Sequence, residues 1–143
     1  MEDAAQYLQL ETDWRHLLLV MHWQGFVPSE AYRAGMLEAI QVADQEHLNT
    51  WVMDMKGMKV IRQADQDWTL TSWFAQFQLV RVKRLAFVVS DDIFNQMAVS
   101  SMVATMRPKM QAEVEYFQSL ESALRWAKES ASGSGNSGLF SVE

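Results

Sequence analysis

The chain contains no cysteine. This removes disulfide staples, thiolate nucleophiles and Cys-ligated zinc together, so 143 residues must be held by their own apolar core, which is an ordinary size for one domain. Long apolar runs are missing too. The longest aliphatic stretch, Leu17 to Met21, falls far short of the ~20 residues that cross a bilayer. The opening MEDAAQYLQL is acidic and has no apolar segment, unlike a secretory signal, so a soluble protein of the cytoplasm is expected. Positive charge is scarce: 12 Lys and Arg stand against 18 Asp and Glu, a formal charge of −6. A sequence-independent grip on nucleic acid or anionic lipid therefore has little electrostatic support. The one basic cluster, Arg81, Lys83 and Arg84, reads as a solvated loop before a strand. Gly25, Gly35 and Gly57 stand alone, and no glycine-rich phosphate loop, GxSxG or HExxH is present.

What the sequence does contain is an alternation of strand-like and helix-like segments. Tyr7 to Glu11 alternates, Thr12-Asp13 offers a turn, and His16 to Gln24 is a longer apolar run, together an edge hairpin. Ser29 is a candidate cap for a helix carrying Tyr32, Met36, Ala39, Ile40 and Ala43 on one face. Thr50 to Met53 is a compact strand, and a helix is expected from Ala64 to about Val80, with Asp65 and Asp67 at its positive end. Leu85 to Val89 has the composition of a strand covered on both faces. Ser90-Asp91-Asp92 then caps a helix that runs to Met106, with a break near Val99, and is stopped by Arg107-Pro108. Val114 to Phe117 supplies a fifth strand, and Leu120, Ala123, Leu124 and Ala127 the inner stripe of a last helix capped by Ser119. Residues 130–143 read as a flexible Gly/Ser-rich tail following one domain over 1–129.

The order β-β-α-β-α-β-α-β-α predicts an α/β fold: a single mixed, mostly parallel sheet of about five strands, an N-terminal antiparallel hairpin and about four helices on both faces. Five stretches, MHWQGFVPSEAYRAGMLEAI, TWVMDMKGMKVI, DQDWTLTSWF, RLAFVVSDDIFNQM and VEYFQSLESALRWA, resemble the SpoIIAA-like branch of the STAS superfamily, and the likeness covers roughly residues 5–128. In anti-sigma-factor antagonists of that type, an Asp after the strand comparable to 50–54 precedes a loop with a phosphorylatable Ser at the next helix start. Here the loop reads MKGMKVIRQADQD, and no Ser or Thr lies between Thr50 and Thr69, so the switch residue has no counterpart.

Three readings of the site residues follow. Asp54, Lys56, Ser90, Asp91 and Asp92 can share the edge beyond the carboxyl ends of the strands, where a magnesium-dependent phosphoryl site would sit, but a turn at Asp54 and helix capping account for each of them. His16 and His22, on one run and ~20 Å apart along it, cannot share a metal. The helix DWTLTSWFAQFQLV is more telling. Trp68, Thr71, Ala75 and Leu79 make one stripe and Leu70, Trp73, Phe74 and Phe77 another, more apolar surface than one sheet contact needs. The segment Phe94, Met97, Met102, Val103 and Met106 is one candidate cover for it; a partner subunit and an apolar ligand are the others.

These observations favour a non-enzymatic protein-interaction or regulatory module without the serine switch, requiring neither cofactor nor metal and having no catalytic residues. Its partner is another protein and the association is expected to include a homodimer, through Asp54, Lys56, Trp68, Trp73, Phe74 and Phe77. The alternative is a carrier for a small apolar molecule or lipid, because SEC14-type lipid domains are described as relatives of this architecture.

Overall fold

The structure, a computed structural model, describes residues 4–133, with the side chains of 5–129. Five strands form one sheet in the order β1 (Leu8–Asp13), β2 (Leu18–Gly25), β3 (Thr50–Met58), β4 (Arg84–Val88) and β5 (Glu113–Phe117). β1 pairs antiparallel with β2, and every other pairing is parallel. The crossovers are α1 (Ser29–Glu46), the pair α2 (Gln63–Trp68) and α3 (Phe74–Phe77), and α4 (Ile93–Met106); α5 (Leu120–Gly133) follows β5. A strand order that matches chain order, with crossovers of one hand, puts all three on the same face. The main core accordingly joins Leu19, Met21, Trp51, Met53, Leu85 and Phe87 to α1, α2–α3 and α4, while the alternate residues Leu18, Val20, Val52, Ala86 and Val88 pack against Ala123 and Ala127 of α5.

Several local expectations are corrected. The chain does not turn at Thr12-Asp13. β1 runs through Asp13, whose carboxylate accepts from the His16 amide, and a single 3₁₀ turn at Trp14–His16 ends on Leu17 with φ 51°. His16 thus lies in the turn and not on a strand with His22. Pro28 occupies the cap position of α1, leaving the Ser29 hydroxyl to donate to Asp65. β3 continues past Met53 to Met58, because β2 stays beside it through an irregularity between His22 and Gln24. Asp54 is therefore within a strand and not in a turn after one. α4 shows no break at Val99, since Ala98, Val99, Met102 and Val103 are all buried and hold the helix straight onto the sheet. α5 extends through residues 130–133 of the expected tail, and the rest of that tail lies outside the described residues.

α2 and α3 are one continuous helix interrupted by a π-helical turn at Thr69–Trp73. The Thr69 hydroxyl donates to the carbonyl of Asp65 at 2.7 Å and also meets the Tyr32 hydroxyl at 2.7 Å, a side-chain bond of the kind that loosens the α-helical ladder. The wider turn rotates the second half of the helix relative to the first. Trp73, Phe74 and Phe77 consequently face the sheet, whereas Thr71, Ala75 and Leu79 face solvent.

Candidate functional site

The parallel register of β2 and β3 places Val20-Met21-His22 directly opposite Val52-Met53-Asp54. His22 and Asp54 therefore share the α5 face at the carboxyl edge of the sheet, beyond the part that α5 covers. His22 Nδ1 lies 2.9 Å from Asp54 Oδ2, and its Nε2 lies 3.0 Å from Glu11 Oε1 on β1. Only the imidazolium donates from both nitrogens, so this carboxylate–imidazole–carboxylate chain favours the charged ring. Partial burial pulls the other way, lowering the His22 pKa, but the bonds to Glu11 and Asp54 and their charges outweigh it and hold the pKa above the usual histidine value.

The second oxygen of Asp54 accepts from the Lys56 amide at 3.2 Å. Lys56 Nζ in turn lies 3.1 Å from Asp91 Oδ1, and the Asp91 amide donates to the Lys56 carbonyl at 3.1 Å, fastening the end of β3 to the start of α4. The neighbouring polar groups are committed as well. Ser90 Oγ donates to Met58 O at 2.7 Å, and Asp92 accepts from the Phe94 amide as the cap of α4. Asp54, Lys56 and Asp91 are thus brought together as the sequence implied, with His22 and Glu11 added. Among the described residues, no group of three or more His, Asp or Glu is placed to hold a metal ion.

A test follows from the imidazolium. A raised folded-state pKa contributes stability in full below the unfolded value, about 6.5, and loses it as pH rises through the folded value. Urea midpoints of the wild type and His22→Gln are expected to differ most near pH 6 and to converge by about pH 9. Parallel curves across that window would remove the charged bridge.

The aromatic helix is placed differently from expectation. Trp73, Phe74 and Phe77 are 4%, 6% and 3% exposed, and Trp73 stacks on Phe77 at 4.9 Å while Trp51 meets both edge-on. Trp68 is half-buried beneath the Arg33 guanidinium. The surplus apolar surface expected on this helix is taken up by the chain's own core, with Met102, Val103 and Met106 supplying part of the cover. The space it walls, bounded by Tyr32, Trp51, Trp73 and Phe77, amounts to about 30 Å³, room for little more than one water.

Uncovered apolar surface lies instead on the first half of α4. Ile93, Phe94 and Met97 are 57%, 63% and 62% exposed, and Tyr116 of β5 is 42% exposed. The spacings i, i+3 and i+4 put Ile93, Phe94 and Met97 on one side of the helix. Ile93, Met97 and Tyr116 line an open groove of about 620 Å³ whose floor is Met55, Phe87 and Val99. Ser90 lines the same groove, and Asp91 follows it in the chain, one turn ahead of Phe94. Sequence reasoning offered Phe94 and Met97 as one candidate cover for the aromatic helix, because periodicity marks an apolar face without saying what lies opposite. The missed partnership of His22 did leave a trace, the paired tripeptides VMH and VMD.

No curated protein and no solved structure matches the chain. A family model described as SpoIIAA-like matches residues 18–128, that is, everything from β2 to the middle of α5. With most of the chain matched, and with the mixed five-stranded sheet and four helices of a STAS fold on the page, the protein belongs to the SpoIIAA-like family.

Proposed function

We propose that the protein is a cytoplasmic, non-enzymatic binding module of STAS type, working through contact with another protein at the first half of α4. The observation that carries this reading is the grouping of Ile93, Met97 and Tyr116 around one groove, with Phe94 exposed next to them on α4. Four large apolar side chains exposed together cost free energy in water, and such a patch with aromatic anchors is the usual mark of an interface. Met55 and Ser90 of the groove's lining are the chain neighbours of Lys56 and Asp91, so Asp54 and Lys56 stay near this surface while α4 replaces the aromatic helix at its centre.

A binding role also accords with the carboxylates, since Asp54, Asp91 and Asp92 are each engaged by an imidazole, an ammonium or a backbone amide of the chain itself. The serine switch is not part of the proposal: α2 opens Gln63-Ala64-Asp65, and its acid is turned inward to Arg33. A second copy of the chain is a further candidate partner because the exposed Ile93, Phe94 and Met97 can face their own copies across a two-fold axis.

Phe94→Asp combined with Met97→Ser is expected to weaken partner binding by about thirtyfold, the scale of an interface hot spot, while leaving the melting temperature nearly unchanged because both side chains are exposed. Affinity for a partner captured from the source cells, measured with wild-type and variant chains, checks this. Light scattering at tens of micromolar distinguishes self-association from a 16.5 kDa monomer. Equal affinity of the two chains for every partner, with no change in mass, would refute the assignment of this face.

A further inference from the structure

At the opposite, amino edge of the sheet, the loops that lead into β4 and β5 enclose a second groove of about 730 Å³. Phe77 and Val82, both buried, and the half-buried Met110 form its apolar floor, and Arg81, Lys83 and Lys109 stand exposed around it. The basic cluster seen in the sequence is thereby divided. Arg84 turns inward, its guanidinium 3.5 Å from the centre of the Trp126 ring and 3.6 Å from Glu113, and serves packing. Arg81 and Lys83 stay outside and are joined by Lys109 from a distant part of the chain. None of these three makes an ion pair with a described residue, although the chain has a net charge of −6. Asp44 lines an adjoining recess with Arg81 and Lys83, and Glu113 is engaged by Arg84.

We propose that this groove binds a single-chain anionic amphiphile, with its carboxylate or phosphate head among Arg81, Lys83 and Lys109 and its apolar chain on Phe77, Val82 and Met110. The volume is in the range of small-ligand sites, roughly 300–1,000 Å³. A purely apolar ligand would leave three cations beside a desolvated surface, and a bare inorganic anion would leave the floor exposed; one molecule with both parts satisfies both. Concavity favours a single molecule over a flat membrane. Gln78 Nε2 donates to the Lys109 carbonyl at 3.2 Å, tying the end of α3 to the turn after α4 and closing one wall. Leu79, 81% exposed on the rim, is free to fold over an occupant. This site is separate from the α4 surface and does not depend on it.

The test is an amide NMR titration with laurate below its micelle concentration, with dodecyl maltoside and inorganic phosphate as separate titrants. Laurate is expected to shift amides of residues 77–83 and 109–112, and the other two titrants are expected to leave them in place. Lys83→Glu with Lys109→Glu, at exposed positions whose substitution spares the core, is expected to weaken laurate binding by about tenfold or more, with Arg125→Ala, exposed on α5, as a control that leaves laurate binding unchanged. Equal binding of the neutral amphiphile, insensitivity to the charge reversal, or laurate shifts confined to α4 and Tyr116 would each overturn the proposal. Sedimentation with phosphatidylglycerol vesicles in the absence of laurate shifts would overturn it too, by assigning these cations to a membrane face.

Discussion

Trp73→Ala is expected to lower the unfolding free energy by about 4 kcal/mol, a large part of the roughly 5–15 kcal/mol that holds a domain of this size. The ring is nearly sealed from solvent, stacks on Phe77, meets Trp51 edge-on at 6.1 Å and donates its Nε1 proton to the Met36 carbonyl at 2.8 Å. Truncation would forfeit the buried area, open a cavity beside Trp51 and leave the Met36 carbonyl without that donor, three losses in the same direction. Urea unfolding followed by fluorescence gives the number. A loss below about 1 kcal/mol would show that the ring contributes little to the core and would restore this helix as a contact surface.

The second large effect is at Asp65. Its carboxylate is 1% exposed in the first turn of α2 and accepts from the Ser29 hydroxyl at 2.8 Å and Arg33 Nε at 2.9 Å, joining α2 to α1. Arg33 is 40% exposed and so can return to water if abandoned, but the carboxylate cannot. Asp65→Ala is expected to cost about 3 kcal/mol, and Arg33→Ala about as much because it strands a buried charge. The double variant should then be more stable than the sum of the single losses predicts. Additive losses in a double-mutant cycle would mean that the two groups are not coupled.

Both predictions concern residues whose role was only half visible in the sequence. A richly aromatic helix from Ala64 to about Val80 was legible in the sequence, and the structure ends it at Phe77. The π-helical turn was not, because it arises from Thr69 bonding back to Asp65 and to Tyr32, a residue 37 positions earlier. Without that turn the two apolar stripes look equivalent, and one of them looks surplus. Asp65 similarly has the position of an ordinary helix-dipole acid. Its burial depends on α1 arriving with Ser29 and Arg33 on the side that faces it.

The same division runs through the candidate site. Asp54, Lys56 and Asp91 could be assigned to one edge from strand and helix order, since in a parallel sheet the strand ends and the following helix starts meet there. His22 and Glu11 could not, because contacts across strands depend on register, and a slip of one residue would turn His22 into the core and Met21 out of it.

By itself, the sequence determined the element order, the mixed sheet and the absence of thiol chemistry, which depend on local periodicity and composition, and it pointed to the family through the resemblance of five stretches. Tertiary structure alone decided which apolar face is left over: the aromatic helix is consumed by the sheet, and Ile93, Phe94 and Met97 are left in solvent. The reason is geometric. Hydrophobic spacing tells a helix which side to bury, but only the positions of its neighbours determine how much of that side is reached.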